Sequence, residues 1–231
     1  MPQTWMITGA NRGIGLALAT ALAARGDHVI AAARDPASPG LAALAAKHGG
    51  LVTPIAIDVT SDASVAAAKA ALAGRPIDVL VNNAGIYGPR DKQGALDMDF
   101  DAWRDVFEVN VYAPLRVAQA FLPNVEASQG RKIATISSRM GSIAGNPSGA
   151  LAYRSSKSAV NMAMVVFGNA VRERGVSILL FHPGWVQTDM GGGGADIPPT
   201  ESAAGLIGTI DRSGLSDTNS FRTWKGEAIA W

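Results

Sequence analysis

Residues 5 to 33 read as strand, glycine turn, helix and strand in immediate succession, and few patterns restrict a fold more tightly. Trp5-Met-Ile-Thr8 is a short apolar run that passes straight into Thr8-Gly9-Ala10-Asn11-Arg12-Gly13-Ile14-Gly15. An Ala/Leu-rich helical stretch follows to Ala24, and a second apolar run begins at His28. Glycines let the backbone turn tightly and approach a pyrophosphate, and the free N–H groups of the helix start meet its charge. This unit seats a dinucleotide beside a parallel sheet. The spacing is Gly-x-x-x-Gly-x-Gly rather than Gly-x-Gly-x-x-Gly. Glycine turns are common after strands, so the strand before and the helix after carry the reading.

The alternation continues to the end of the chain. Strands are expected over 5–8, 28–33, 51–57, 78–81, 131–137, 177–182 and 220–222, and helices over 14–24, 40–48, 62–72, 100–127, 151–174 and 200–209. Strands separated by helices of this length imply an α/β fold, a Rossmann-type doubly wound parallel sheet of about seven strands with helices on both faces. No linker-like tract divides the chain, so residues 1–231 are expected to form one domain with a short substrate loop over 187–200, whose Gly191-Gly-Gly-Gly194 run suggests flexibility. Ser61 or Asp62, and Asp99 or Asp101, stand where helix caps belong. Pro114 should kink the helix over 100–127. Functional residues in such folds sit at the carboxyl ends of strands, which is where Thr8-Gly9, Asn82 to Gly85, Ser137-Ser138 and Pro183-Gly184 fall.

Tyr153 and Lys157 are four residues apart in Tyr-Arg-Ser-Ser-Lys, one helical turn on one face. A free phenol titrates near pH 10, too high for efficient proton transfer at neutral pH, and a neighbouring ammonium lowers that value. The pair therefore suits acid–base chemistry on an alcohol or carbonyl. Taken alone, a half-buried Tyr beside a solvated Lys explains the spacing equally well.

Together these motifs resemble the short-chain dehydrogenase/reductase family along nearly the whole chain. The matching pieces are Thr8 to Gly15, Asp58-Val59, Asn82-Asn-Ala-Gly85, Asn110, Ile136-Ser-Ser138, Tyr153-x-x-x-Lys157 and Pro183-Gly184. The runs Ile136 to Ile143 and Tyr153 to Met162 look most like C-factor-like and sniffer-type carbonyl reductases. The resemblance implies that Tyr153 is the proton donor and that Lys157 binds the nicotinamide ribose and lowers the Tyr pKa. It implies that Ser138 holds the substrate oxygen and that Asn110 holds a water relay. Ser138 precedes Tyr153 by fifteen residues, a wider gap than in most members, which leaves Ser137 and Ser142 as competitors. Cofactor contacts are implied for Gly9, Asn11, Arg12, Gly13, Ile14, Gly15, Asp58, Val59, Asn83, Ala84, Gly85, Tyr153, Lys157, Pro183, Val186 and Thr188. Asp58 is equally readable as a capping acid beside Thr60-Ser61. Tyr87, Met140, Trp185 and Met190 are candidates for the substrate side.

The end of the second strand selects between nicotinamide cofactors, because an acid there accepts from the ribose hydroxyls of NAD and repels a 2′-phosphate. Here Ala33 stands at that place with Arg34 after it, and Arg12 lies in the glycine turn. Two guanidinium groups converging on one phosphate favour NADP(H), with NAD(H) the alternative and an Arg34–Asp35 pair in solvent the structural competitor. The reading is an NADP(H)-dependent hydride transfer between nicotinamide and a carbonyl or secondary alcohol. A C-factor-like cofactor-binding signalling protein with little turnover is the alternative.

Net charge is +1 with no run of basic residues, which argues against nucleic-acid or anionic-membrane partners. There are no cysteines, and the three histidines are dispersed, so no metal site is expected. No secretory leader or membrane-length apolar run is read, and a cytoplasmic location is expected. Apolar residues on more than one face of 151–174, among them Met162, Met164, Val165, Val166 and Phe167, raise the expectation of a homodimer, against a monomer that buries them itself.

Overall fold

Trp5 and Ile7 point to one side of the first strand and Met6 to the other, and all three are fully buried. A strand apolar on both faces must be covered on both, which fixes a three-layer arrangement. The computed structural model describes residues 2–231. Its strands are β1 (Thr4–Thr8), β2 (His28–Ala33), β3 (Val52–Ala56), β4 (Val79–Asn82), β5 (Lys132–Ile136), β6 (Ser177–His182) and β7 (Ser220–Thr223). They form one sheet in the order β3-β2-β1-β4-β5-β6-β7, and every ladder is parallel. The expected doubly wound Rossmann-type sheet is therefore the fold, with boundaries shifted by a residue or two.

The helices are α1 (Gly13–Arg25), α2 (Pro39–Lys47), α3 (Asp62–Ala71), α4 (Phe100–Phe107), α5 (Ala113–Glu126), α6 (Leu151–Val171) and α7 (Pro199–Arg212). One core packs α1, α2 and α7 through Leu18, Leu22, Leu41, Leu206 and Ile210 onto Trp5, Ile7, Val81 and Phe181. The other packs α3, α5 and α6 through Val65, Phe121, Val160 and Met164 onto Met6, Ile30, Leu80 and Ile133. Strand order reverses at β1, whose neighbours are β2 and β4, and the crevice beyond their carboxyl ends is where such sheets bind ligands. Ser61 caps α3 by accepting from Ser64 N, and Asp99 caps α4 by accepting from the Asp101 and Ala102 amides.

The helix expected over 100–127 is three pieces. Between α4 and α5 lies a π turn, Glu108–Tyr112, in which Ala113 N donates to the Glu108 carbonyl. Pro114 has no N–H for the carbonyl of Asn110, and its ring would press on that oxygen in a regular helix. The wider turn accommodates both and places Asn110 inward, almost fully buried. On α6, Met164 and Phe167 belong to the core and Val165 packs against it, so of the expected second face only Met162 (66% exposed) and Val166 (60%) stay in the open.

Candidate active site

The crevice at the reversal point is a cleft of about 950 Å³. Its outer end is the glycine turn. Gly9 and Gly13 adopt φ of +66° and +53°, conformations that favour glycine, and a Cβ on Gly13 would meet Thr188 Cγ2 at 3.2 Å. Gly15 is buried in α1, where a Cβ would collide with the Gly9 carbonyl and lie 2.6 Å from Asn83 Nδ2. That same Nδ2 donates to the carbonyls of Thr8 (2.8 Å) and Gly9 (3.2 Å), while Asn83 N and Ala84 N donate to Thr8 Oγ1. The ends of β1 and β4 are thus stitched side to side. The cradle left by the missing side chains is what a pyrophosphate needs, so the residues present fit a dinucleotide.

Asn11, Arg12, Ile14, Arg34, Asp58, Val59, Gly85, Pro183 and Thr188 also line the cleft, as expected. Asp58 accepts from Thr60 N (3.0 Å) and Thr60 Oγ1 (2.7 Å), and these bonds, helped by the charge of Arg34, hold its carboxyl below the usual range. Val186 does not line the cleft. It is buried and bridged to Ile197, and anchors the following loop instead. The two expected arginines do not converge: Arg12 Nη1 pairs with Asp189 Oδ2 at 2.6 Å, from the loop opposite. The Arg34–Asp35 pair does not form either, because Asp35 Oδ1 accepts from Ala37 N.

The loop over 187–200, read as flexible, is hydrogen-bonded from within. Trp185 Nε1 donates to Gly191 O, Gln187 Nε2 to Ala195 O, Gly191 N to Thr188 Oγ1, and Arg90 Nη2 reaches across to Met190 O at 2.6 Å. Side chains flanking the glycine run supply order that the glycines lack.

At the inner end, α6 presents Tyr153 and Lys157. Ser138 stands close enough to the Tyr153 phenol to act on its titration, with its Oγ accepting from Met140 N at 3.1 Å, and the ring is covered by Tyr87, stacked at 4.7 Å between centroids. Of the two serines it is Ser137 that lines the cleft, but its hydroxyl donates to Asn161 Oδ1 at 2.6 Å and is committed to the core. That leaves Ser138 as the serine beside the phenol. Lys157 Nζ donates to the Ile136 carbonyl at 3.0 Å. The side chain of Asn110 accepts from Ile86 N and donates to Ile86 O and Ser156 Oγ, so its amide is fully used in fixing the segment after Gly85.

The sequence leads one to expect a phenol pKa lowered by Lys157. Burial instead pushes Tyr153 up to about 12, with Ser138 opposing and Tyr87 adding to the rise. Tyr153 is 8% exposed, and the ammonium lies 5.7 Å from its ring centroid, pointed at Ile136. Burial outweighs the charge at that distance. Burial also lowers Lys157 to about 8. Among the described residues no cluster of His, Asp or Glu could hold a metal, and no helix is long and apolar enough to cross a membrane.

Residues 3–195 match the family model for the short chain dehydrogenases. The chain belongs to the short-chain dehydrogenase/reductase family of oxidoreductases. It is 41% identical to C-signal of Myxococcus xanthus over 157 residues, 68% of this chain and 93% of that protein. The NADPH-bound carbonyl reductase from chicken fatty liver superposes with a TM-score of 0.90 at 33% identity, covering 100% of this chain and 99% of that one. The carbonyl reductase Sniffer of D. melanogaster does so at 0.89 and 30%, with both chains covered completely. The expected likeness to C-factor-like and sniffer-type members is thus present. Arg90, Gln93 and Asp189 are not singled out by the sequence, because tertiary pairing, and no local spacing, marks them.

The buried ammonium generates a stability prediction. The folded pKa of Lys157 lies below its unfolded value, so the burial penalty is full below about pH 8 and vanishes above the unfolded value near 10.5. Lys157→Met should stabilise the cofactor-free protein at pH 7, by roughly 3 kcal/mol at most, with the gain fading by about pH 10.5. Calorimetry across that range checks it.

Proposed function

We propose that this reductase transfers a hydride from NADPH to a small carbonyl substrate, with Tyr153 as the proton donor. The observation that carries the reading is the Ser138–Tyr153–Lys157 group at the inner end of a cleft whose outer end holds the glycine cradle and Arg34. NADPH, when bound, supplies the hydride. Tyr153, with a pKa near 12, is protonated throughout the neutral range and gives its proton to the carbonyl oxygen, while the Ser138 hydroxyl holds that oxygen in place. Lys157 orients the ribose hydroxyls and carries positive charge beneath the phenol. The Asn110 carbonyl holds a water through which the proton is replaced. Because reduction uses the protonated phenol and a charged Lys157, its rate should fall as pH climbs through about 8, where Lys157 loses its proton, well before the phenol titrates.

Three outcomes are expected. Tyr153→Phe keeps the ring's packing and should cut turnover by roughly 10²–10⁴-fold with little change in NADPH affinity. Undiminished turnover in a folded variant, judged by circular dichroism, rejects the assignment. A signalling protein with little turnover, the reading that the likeness to C-signal raises, would show no such dependence on Tyr153.

Cofactor choice rests on Arg34 at the end of β2, where no acid repels a 2′-phosphate, and on Arg12, which exchanges Asp189 for phosphate. NADPH should bind at least about tenfold tighter than NADH, about 1.4 kcal/mol. Arg34→Asp should reverse the preference by calorimetry, and equal affinities in the native protein would overturn it.

Association is read from Phe100, Tyr112, Met162 and Val166, all exposed. A homodimer covering them should give a dimer mass by light scattering at micromolar concentration, reduced to the monomer by Met162→Glu combined with Val166→Glu.

A further inference from the structure

Gln93 lies in the segment between β4 and α4, sixty residues before Tyr153, and is 3% exposed. A buried primary amide is costly unless each of its groups finds a partner. Here each does. Its Oε1 accepts from the backbone N of Tyr153 at 2.9 Å, and its Nε2 donates to the carbonyls of Tyr87 (2.8 Å) and Pro89 (3.0 Å). Its own carbonyl accepts from Leu151 N at 3.1 Å.

Two features make this more than a satisfied core residue. The residue before α6 is Ala150, at φ +49°, with no side chain able to cap the helix, so two of the open N–H groups at the helix start are met by Gln93 alone. The amide also grips the main chain of both members of a stacked pair: Tyr87 through its carbonyl and Tyr153 through its N–H. Gly88 (φ +80°) turns the chain tightly between them, where a Cβ would lie 2.7 Å from Val106 Cγ2 and 3.3 Å from Gln93 Nε2.

We propose that Gln93 is a positioning residue for the carbonyl reduction, holding Tyr87 against Tyr153 and so fixing the aim of the Tyr153 phenol at the substrate oxygen. This rests on the reading of Tyr153 as proton donor. A shift of about 1 Å in a reacting group costs up to about 10²-fold in rate, which sets the scale of the effect.

Two variants test it. Gln93→Glu keeps the acceptor for Tyr153 N but sets a carboxylate against the Tyr87 and Pro89 carbonyls, and Gln93→Met keeps the length and removes all three bonds. With menadione and NADPH, both should lower kcat by roughly 10- to 100-fold while the dissociation constant for NADPH stays within about twofold. In a Tyr87→Ala background, Gln93→Glu should cost less than about twofold more, because the two changes break one unit. Carbon-labelled tyrosine NMR should show the Tyr153 phenol titrating lower in Gln93→Met, since its cover is loosened and no charge is added. The proposal is overturned if kcat is unchanged in a folded variant, if NADPH affinity falls in parallel, if the double variant is additive, or if the Tyr153 titration does not move. Failure of both variants to fold would make Gln93 structural only and overturn it as well. Menadione reduction that survives Tyr153→Phe removes the parent reading instead, so the two failures are told apart.

Discussion

The stitch between Thr8 and Asn83 is the constraint on which the rest of the molecule depends. Where strand order reverses, β1 and β4 send their chains to opposite faces of the sheet, and the crevice between them would otherwise be a gap in the hydrogen-bond ladder. Four bonds from Asn83 and Ala84 to Thr8 and Gly9 close it. They do so only if Gly15, in the first turn of α1, has no side chain to displace Asn83. Cradle, helix start and the segment leading to Gly85 are therefore one object. Asn110 extends it by fixing Ile86.

Against that rigid outer end, the inner end holds stored electrostatic cost. Tyr153 and Lys157 are both driven toward neutrality by burial, the phenol up and the ammonium down. At neutral pH the stability cost falls on Lys157, which keeps its charge against burial. In the proposed mechanism, that burial keeps a proton on the Tyr153 oxygen until a substrate takes it and spares the Lys157 charge competition from water. Burial comes from Tyr87 above and α6 behind, so catalytic poise is a property of packing as much as of residue type.

Much of this was legible in order along the chain. The βα unit at the start, the alternation of apolar runs, and the Tyr-x-x-x-Lys turn are short-range patterns, and the sheet, the cleft and its main lining residues follow from them. Illegible features arise from pairs distant in sequence. Arg12 binding Asp189 and Arg90 binding Met190 could not be read from spacing, nor could Gln93 reaching Tyr153. The raised pKa of Tyr153 without cofactor is of the same kind, since a turn of helix gives the Lys neighbour but not the depth of burial. Pro114 is a disruption, as read: the helix is interrupted there by a widened turn whose longer hydrogen-bond loops absorb the missing N–H.

The strand order has a consequence for synthesis. β2 joins β1, β3 joins β2, β4 joins the open side of β1, and β5, β6 and β7 each join the strand made just before. As the chain leaves the ribosome, every new strand therefore finds an existing edge, and none has to be inserted between two already paired. The sheet can be assembled outward in the order of translation, N-terminal part first, with the late strands adding to a template that is never reopened.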